Sequence, residues 1–307
     1  MNSTDKISNE HYIPADVPHN KTMTFKENFK EATANTGRLM LFAGDQKLEH
    51  LNNDFYGQGI SPDDSDPEHL FQIASGAHIG VFATQLGLIG RYGLQYPGIP
   101  YLIKLNSKTN VVPFQQRDPL SLAWFAVDQV VQFAKNSGLK ILGVGYTVYP
   151  GSEYETEMLK EAAQIVHQAH LHGLIAVLWI YPKGKAVRDE HNQHLIAGAA
   201  GVGVCLGADF VKLKVPEKNG EFSPEMMKEI VSAAGNTGVL CEGGTKENET
   251  LFLKQLHDQI HLGGARGSGT GRNIHQRSLQ DAIKMANAIH AITVEEKTVE
   301  EAEKLLQ

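Results

Sequence analysis

Eight short apolar runs recur along the chain, most of them separated by a helical pattern. They are RLMLFAGD, HIGVFATQ, PYLIKLN, LKILGVGYT, GLIAVLWIYP, ADFVKLKV, TGVLCEGG and GGARGSGTG. Strands that alternate with helices need crossover connections, and crossovers give a parallel sheet. Eight such units over about 250 residues fit a single (β/α)8 TIM barrel of the α/β class. A doubly wound open sheet is the alternative. The eighth run has almost no β-branched residues and is placed by its position in the count. The helical patterns PLSLAWFAVDQVVQFAKNSG, YETEMLKEAAQIVHQAHLHG and EHNQHLIAGAAGVGVCLG each end in glycine, the common helix stop. TFKENFKEATANTG reads as an amphipathic helix stopped by Gly37, and TVEEKTVEEAEKLLQ as a charged C-terminal helix. The expected organisation is a polar N-terminal arm over residues 1–24 and a barrel over 25–307.

Composition narrows the function class. The chain has 307 residues, a formal charge of −7 and ordinary globular proportions, with 41% hydrophobic and 21% charged residues. A net negative charge disfavours a nucleic-acid binder, which needs a basic face. The polar start has no signal-peptide core, and no apolar run reaches the roughly 18 residues of a membrane span. The expectation is a cytoplasmic protein without nucleic-acid or membrane partners. Cys205 and Cys241 both sit in apolar sequence and read as small buried residues, not as a disulfide framework or a zinc site. His167, His170 and His172 close a helix, where the dipole favours them. HNQH at 191–194 reads as helix surface, and DDSDPEH lacks the spacing of a calcium loop.

In a barrel of this kind chemistry sits at the C-terminal ends of the strands. The sixth run carries Lys212 and Lys214, two apart and therefore on one face. A buried ammonium is costly, so such a lysine loses its proton more easily, and a second ammonium nearby pushes further in that direction. A neutral amine is what attacks a carbonyl to form a Schiff base. Pairing with Asp209 or Glu242, or escape to solvent, is the alternative, and the residues alone do not choose between the two lysines. The fifth run ends in Trp179 and Tyr181 on one face: a pocket wall and a proton-transfer hydroxyl, or two core aromatics. Asp45 ends the first run, as a substrate-orienting carboxylate or base, or as a helix cap. Gly243, Gly244 and Lys246 after the seventh run, and Gly271 and Arg272 after the eighth, read as a phosphate cradle.

These residues together resemble the archaeal-type class I fructose-bisphosphate aldolases, over about residues 25–290. The motifs that carry the resemblance are AGDQKLEH, WIYPKGK, GADFVKLK, EGGTKEN and GTGRNIHQ. The family implies a (β/α)8 barrel, a phosphorylated sugar substrate, no metal or other cofactor, and a homo-oligomer. It implies Lys212 as the Schiff-base lysine, Tyr181 as the proton donor and Asp45 as the strand-1 carboxylate. It places Trp179 at the substrate, as in the aldolases and not in related keto-sugar synthases, and Gly243, Gly244, Lys246, Gly271 and Arg272 at a phosphate. Lys214 would keep Lys212 neutral or bind substrate, and Lys108 is the expected contact for a second phosphate. The chain departs from the family pattern at Val215-Pro216, at Glu242 and at Gln46.

Overall fold

The computed structural model describes residues 13–111 and 118–307. Eight parallel strands close into a barrel in sequence order, with the eighth pairing back on the first. They are β1 (Leu39–Ala43), β2 (Val81–Gln85), β3 (Tyr101–Lys104), β4 (Ile141–Val148), β5 (Ile175–Ile180), β6 (Phe210–Leu213), β7 (Gly238–Glu242) and β8 (Gly267–Thr270). The open-sheet alternative is thereby excluded. Every residue of β1, β2, β4 and β5 is buried. A strand covered on both faces by helices has no polar side to show, which is why these segments read as unbroken apolar runs.

The helices are α1 (Thr22–Ala32), α2 (Glu68–Gly76), α3 (Leu86–Tyr92), α4 (Val127–Ser137), α5 (Glu155–Leu171), α6 (Gln193–Cys205), α7 (Pro224–Ala234), α8 (Glu249–His257) and α9 (Leu279–Thr293). Helices α2 to α9 each follow a strand. Gly138, Gly173 and Gly207, the expected stops, adopt left-handed φ values of 70°, 73° and 84°. Several helix limits differ from the sequence reading; α6, for one, starts at Gln193 and leaves Glu190 and His191 outside. PLSLAWFA is not helical, because the ends of β3 and β4 engage its backbone: Trp124 N–H donates to the Leu105 carbonyl (2.9 Å) and Tyr146 Oη to that of Ser121 (3.0 Å). Helix α1 ends five residues before Gly37, where Ala34 and Asn35 take positive φ. The C-terminal segment is not one helix: Glu296 takes φ 59°, and a short turn (Val299–Glu303) restarts behind the Thr298–Glu301 capping box.

Two apolar layers meet at the strands. Met40, Phe42, Phe82, Ile103, Val211 and their neighbours pack outward against the helices. Leu39, Leu41, Ala43, Leu102, Val177, Phe210 and Leu240 fill the barrel interior. Helix α1 closes the N-terminal end of that interior. Phe29 stacks on Phe210 (5.6 Å between centroids) and Phe25 meets the His170 ring edge-on (5.8 Å). The expected boundary at residue 24/25 therefore falls inside a helix that belongs to the barrel. Of the expected arm, residues 1–12 lie outside the described residues, while Ile13 and Val17 pack on the inner core.

His170 lies in the last turn of α5, as the sequence suggests. It is fully buried, with Nδ1 2.8 Å from Asp16 Oδ1 and Nε2 3.3 Å from Asp209 Oδ2. Asp209 also accepts the Ala176 N–H (2.7 Å), so one ion pair joins β5, β6 and the N-terminal segment. Burial works against the imidazolium, but the two carboxylates outweigh it and hold His170 up at about 9. Cys241 is buried as expected, whereas Cys205 is exposed: it falls on the outer side of the last turn of α6. Among the described residues, no helix is long and apolar enough to cross a membrane.

Candidate active site

Strand parity builds the site. Phe210, Leu102, Ala43 and Leu240 point into the barrel, so Lys212, Lys104, Asp45 and Glu242, two residues further along, share that direction one layer higher. Trp179 and Tyr181 continue the inner row of β5. With the exception of Lys104, these side chains line a cavity of about 190 Å³ at the C-terminal mouth, together with Glu49, Tyr149, Lys108, Lys183, Lys214, Gly243, Gly244 and Arg272.

Lys212 lies on β6 in register with Trp179 of β5 and is only 4% exposed. Its amine sits 5.5 Å from the Trp179 ring. The strand leaves it room: a Cβ on Gly269 of β8 would come within 2.7 Å of Lys212 Cδ and Cε. Gly145 likewise admits the Trp179 ring, which a Cβ there would meet at 2.5 Å. Burial is the largest influence on the Lys212 amine and lowers its proton affinity. Asp45 and Glu242 oppose that shift, and the Lys104 ammonium reinforces it, leaving a net lowering.

Lys104 is the residue that sequence reasoning missed. It is fully buried on β3, 3.3 Å from Asp45 Oδ2 and 4.5 Å from the centroid of Trp179. Its signal was present: a lysine in the apolar run PYLIKLN, on the same face as the interior residue Leu102. The second ammonium beside Lys212 is therefore Lys104, and not Lys214 as expected. Lys214 lies just past the end of β6 and spends its charge on Glu190 (2.8 Å), in a position that still faces the cavity.

Asp45 occupies a helix N-cap position but caps nothing with its side chain. It is 2% exposed and turns to Lys104 instead. Burial works against its charge, yet Lys104 and Lys212 hold its carboxyl below the usual range. Its second oxygen, Oδ1, has no hydrogen-bond partner among the described residues. Tyr181 shifts the other way. Burial, and after it the carboxylates of Glu242, Asp45 and Glu49, push its hydroxyl well above its ordinary value. The site thus sets an ionised carboxylate and a protonated phenol around a lysine whose proton affinity is lowered. That division of roles suits acid–base chemistry on one substrate.

The glycine loops are brought together only in part. Gly243, Gly244 and Arg272 line the cavity, with Gly244 at φ 62°. A second cavity of about 290 Å³ shares these three residues, Lys214 and Glu242, and continues the cleft toward α8. Lys246 is held outside both: its amine donates to the Gly59 carbonyl (2.9 Å) and the Gln276 carbonyl (3.1 Å), stapling two loops. Gly271 does not face the cavity either; it backs onto Gln46, whose Oε1 would lie 1.9 Å from an added Cβ. Lys108, burdened by burial and by nearby Lys183, lines the opposite side with its proton affinity lowered.

A model of the DeoC/LacD family of aldolases matches residues 39–277, from the first strand to beyond the last. The chain belongs to that family. A protein of Methanocaldococcus jannaschii named fructose-bisphosphate aldolase/6-deoxy-5-ketofructose 1-phosphate synthase is 57% identical over 293 residues, covering 95% of this chain and 93% of that one. A solved fructose-bisphosphate aldolase from Slackia heliotrinireducens superposes with a TM-score of 0.94 at 52% identity, over 98% of this chain and 95% of the other. A solved archaeal fructose-1,6-bisphosphate aldolase, with its catalytic lysine bound to the carbinolamine intermediate, gives a TM-score of 0.75 at 33% identity, over 88% and 99%. The resemblance to archaeal class I aldolases read from the sequence is borne out, and with it the barrel and the assignment to the lyases.

Proposed function

We propose that this chain is a class I aldolase that cleaves fructose 1,6-bisphosphate to dihydroxyacetone phosphate and glyceraldehyde 3-phosphate, and catalyses the reverse, through a Schiff base on Lys212. The observation that carries the reading is a buried Lys212 amine, its proton affinity lowered, facing the same cavity as Asp45 and Tyr181. The names of the similar proteins point to the same substrate class.

The Lys212 amine attacks the C2 ketone, the ketone oxygen takes up a proton, and a carbinolamine forms. Tyr181, held protonated, donates the proton that lets water leave, and an iminium results. Asp45 accepts the C4 hydroxyl proton as the C3–C4 bond breaks, and the electron pair passes into the iminium to give an enamine. Glyceraldehyde 3-phosphate leaves. The proton held on Asp45 passes to the enamine carbon, and water then adds to the iminium while Tyr181 takes its proton back, releasing dihydroxyacetone phosphate and free Lys212. Each step needs a charge state opposite to its neighbour's, which the divergent shifts of Asp45 and Tyr181 favour. Arg272 with the Gly243–Gly244 backbone would hold one phosphate, and Lys108 with Lys183 the other.

A second reading has one observation behind it. The 57% identical relative carries a synthase name beside the aldolase name, so the same lysine chemistry on another phosphorylated keto-sugar is the alternative. Borohydride reduction in the presence of dihydroxyacetone phosphate, with EDTA throughout, followed by peptide mass mapping, tests the mechanism. An adduct on Lys212 is expected. An adduct on Lys214 would reassign the nucleophile, and no adduct on folded protein would overturn the Schiff-base reading. A panel of phosphorylated ketoses then separates the two substrates.

A further inference from the structure

The N-terminal face of the barrel carries a cluster that the aldolase chemistry does not use. His78 precedes β2, His290 lies in the last turn of α9, and Glu295 follows that helix. One ligand atom from each falls within 4.8 Å of the others, and together they border a cavity of about 470 Å³. From this geometry we propose that His78, His290 and Glu295 form a binding site for a divalent transition-metal ion of the zinc class, which clamps the entry to β2 onto the C-terminal end of α9.

Three observations carry the inference. The first is spacing. Zinc bonds of about 2.0–2.1 Å in a tetrahedral shell set two ligand atoms about 3.3 Å apart. His290 Nδ1 and Glu295 Oε1 are already 3.2 Å apart. His78 is exposed, so its ring has room to close the remaining gap by rotation about its own side-chain bonds.

The second is support. The His78 backbone N–H donates to Asn287 Oδ1 (2.8 Å), one turn before His290 on α9. The two histidines therefore come from elements already tied together, with their ring centroids 5.6 Å apart. A site whose ligand-bearing elements are held by the fold before the ion arrives loses less ordering entropy on binding.

The third is ligand chemistry. Two imidazoles and one carboxylate suit zinc and its neighbours, and they disfavour magnesium and calcium, which take oxygen shells. Two histidines and one glutamate make an open three-ligand set. The adjoining cavity, whose remaining wall includes Ser75, Gly98 and Pro100, leaves space for a water ligand. The cluster lies at the end of the barrel opposite Lys212, where fixed residues serve stability and not catalysis. The ion would act as a brace.

The test uses the full chain stripped of metal with a chelator. Calorimetric titration with zinc chloride is expected to show one strong ion per chain, and thermal unfolding to show Tm raised by about 2–5 °C in excess zinc. His78→Ala is expected to weaken binding by roughly 100-fold or more, because loss of a mere supporting partner of a ligand already costs about 10–100-fold; Glu295→Gln should also weaken it. Both changed side chains are at the surface, so both variants should fold with the wild-type circular dichroism. Aldolase turnover should not respond to zinc addition or removal. No zinc binding by the folded wild type, or binding unchanged in both variants, would overturn the site; binding lost in the two variants alike would establish it.

Discussion

At the scale of single residues, the cavity reinforces an ionised Asp45 and a protonated Tyr181 and lowers the proton affinity of Lys212 between them. Lys104 is central to this. It pairs with Asp45 at 3.3 Å and adds like-charge repulsion to the burial that lowers the proton affinity of Lys212. Replacing it by Met removes a positive charge beside Lys212, so protonated Lys212 becomes easier to form. The acid limb of the pH–rate profile should therefore move to higher pH, with activity at neutral pH reduced; an unmoved limb would show that Lys104 does not tune the amine. Tyr181→Phe removes the only atom of that side chain able to transfer a proton. It should lower kcat by about 10²–10⁴-fold, the usual worth of a positioned acid–base group, while thermal unfolding stays near that of the wild type. Sequence reasoning put Lys212, Tyr181 and Asp45 at one site because each stands at the C-terminal end of a strand, and the cavity brings the three together. It missed Lys104 because a single lysine in an apolar run carries no motif, and it misjudged Lys246 because the Gly59 and Gln276 carbonyls that capture it lie 187 and 30 positions away.

At the scale of elements, β8 is the clearest link between an odd sequence and a function. GSGT is a poor strand by propensity, and it is a strand because its neighbours β1 and β7 supply ladders on both sides. Its small residues are needed: Gly269 leaves the channel through which the Lys212 side chain runs. Gly269→Ala should displace that side chain and cost about 100-fold or more in kcat, since a misplacement of about 1 Å suffices for that. It should also destabilise by about 1–3 kcal/mol through overpacking. Steady-state kinetics and urea unfolding check the two effects, and kinetics like those of the wild type would show that the channel tolerates a methyl group. The strands as a set were legible, because a strand buried on both faces announces itself as an apolar run. The helix limits were less so. PLSLAWFA has a helical apolar pattern, but the ends of β3 and β4 compete for its backbone groups, and that competition is not written locally. The break at Glu296 is equally silent, since a glutamate with positive φ has no sequence signature.

At the scale of the whole molecule, the buried pairing of His170 with Asp16 and Asp209 couples stability to pH. His170 titrates near 6.5 when unfolded and at about 9 when folded, so the folded state binds the extra proton. The stabilisation is fully present below pH 6.5 and is lost as pH rises through about 9. A shift of that size amounts to something on the order of 3 kcal/mol. Urea midpoints should therefore fall across this window in the wild type and fall less in His170→Gln; parallel curves would show that the pair does not govern the alkaline limb. The same pair helps seat the N-terminal segment, and α1 beside it closes the barrel on Phe210. Ring closure also sets an order on biosynthesis. Of the barrel strands, β1 leaves the ribosome first, and its second neighbour is β8, which leaves last. Until Gly267–Thr270 emerges, the nascent sheet carries two unpaired edges, and α1 has no Phe210 to stack on until β6 has been made. The earliest strand therefore waits for its second partner through most of synthesis, and the incomplete barrel exposes the kind of unpaired strand edge that favours aggregation.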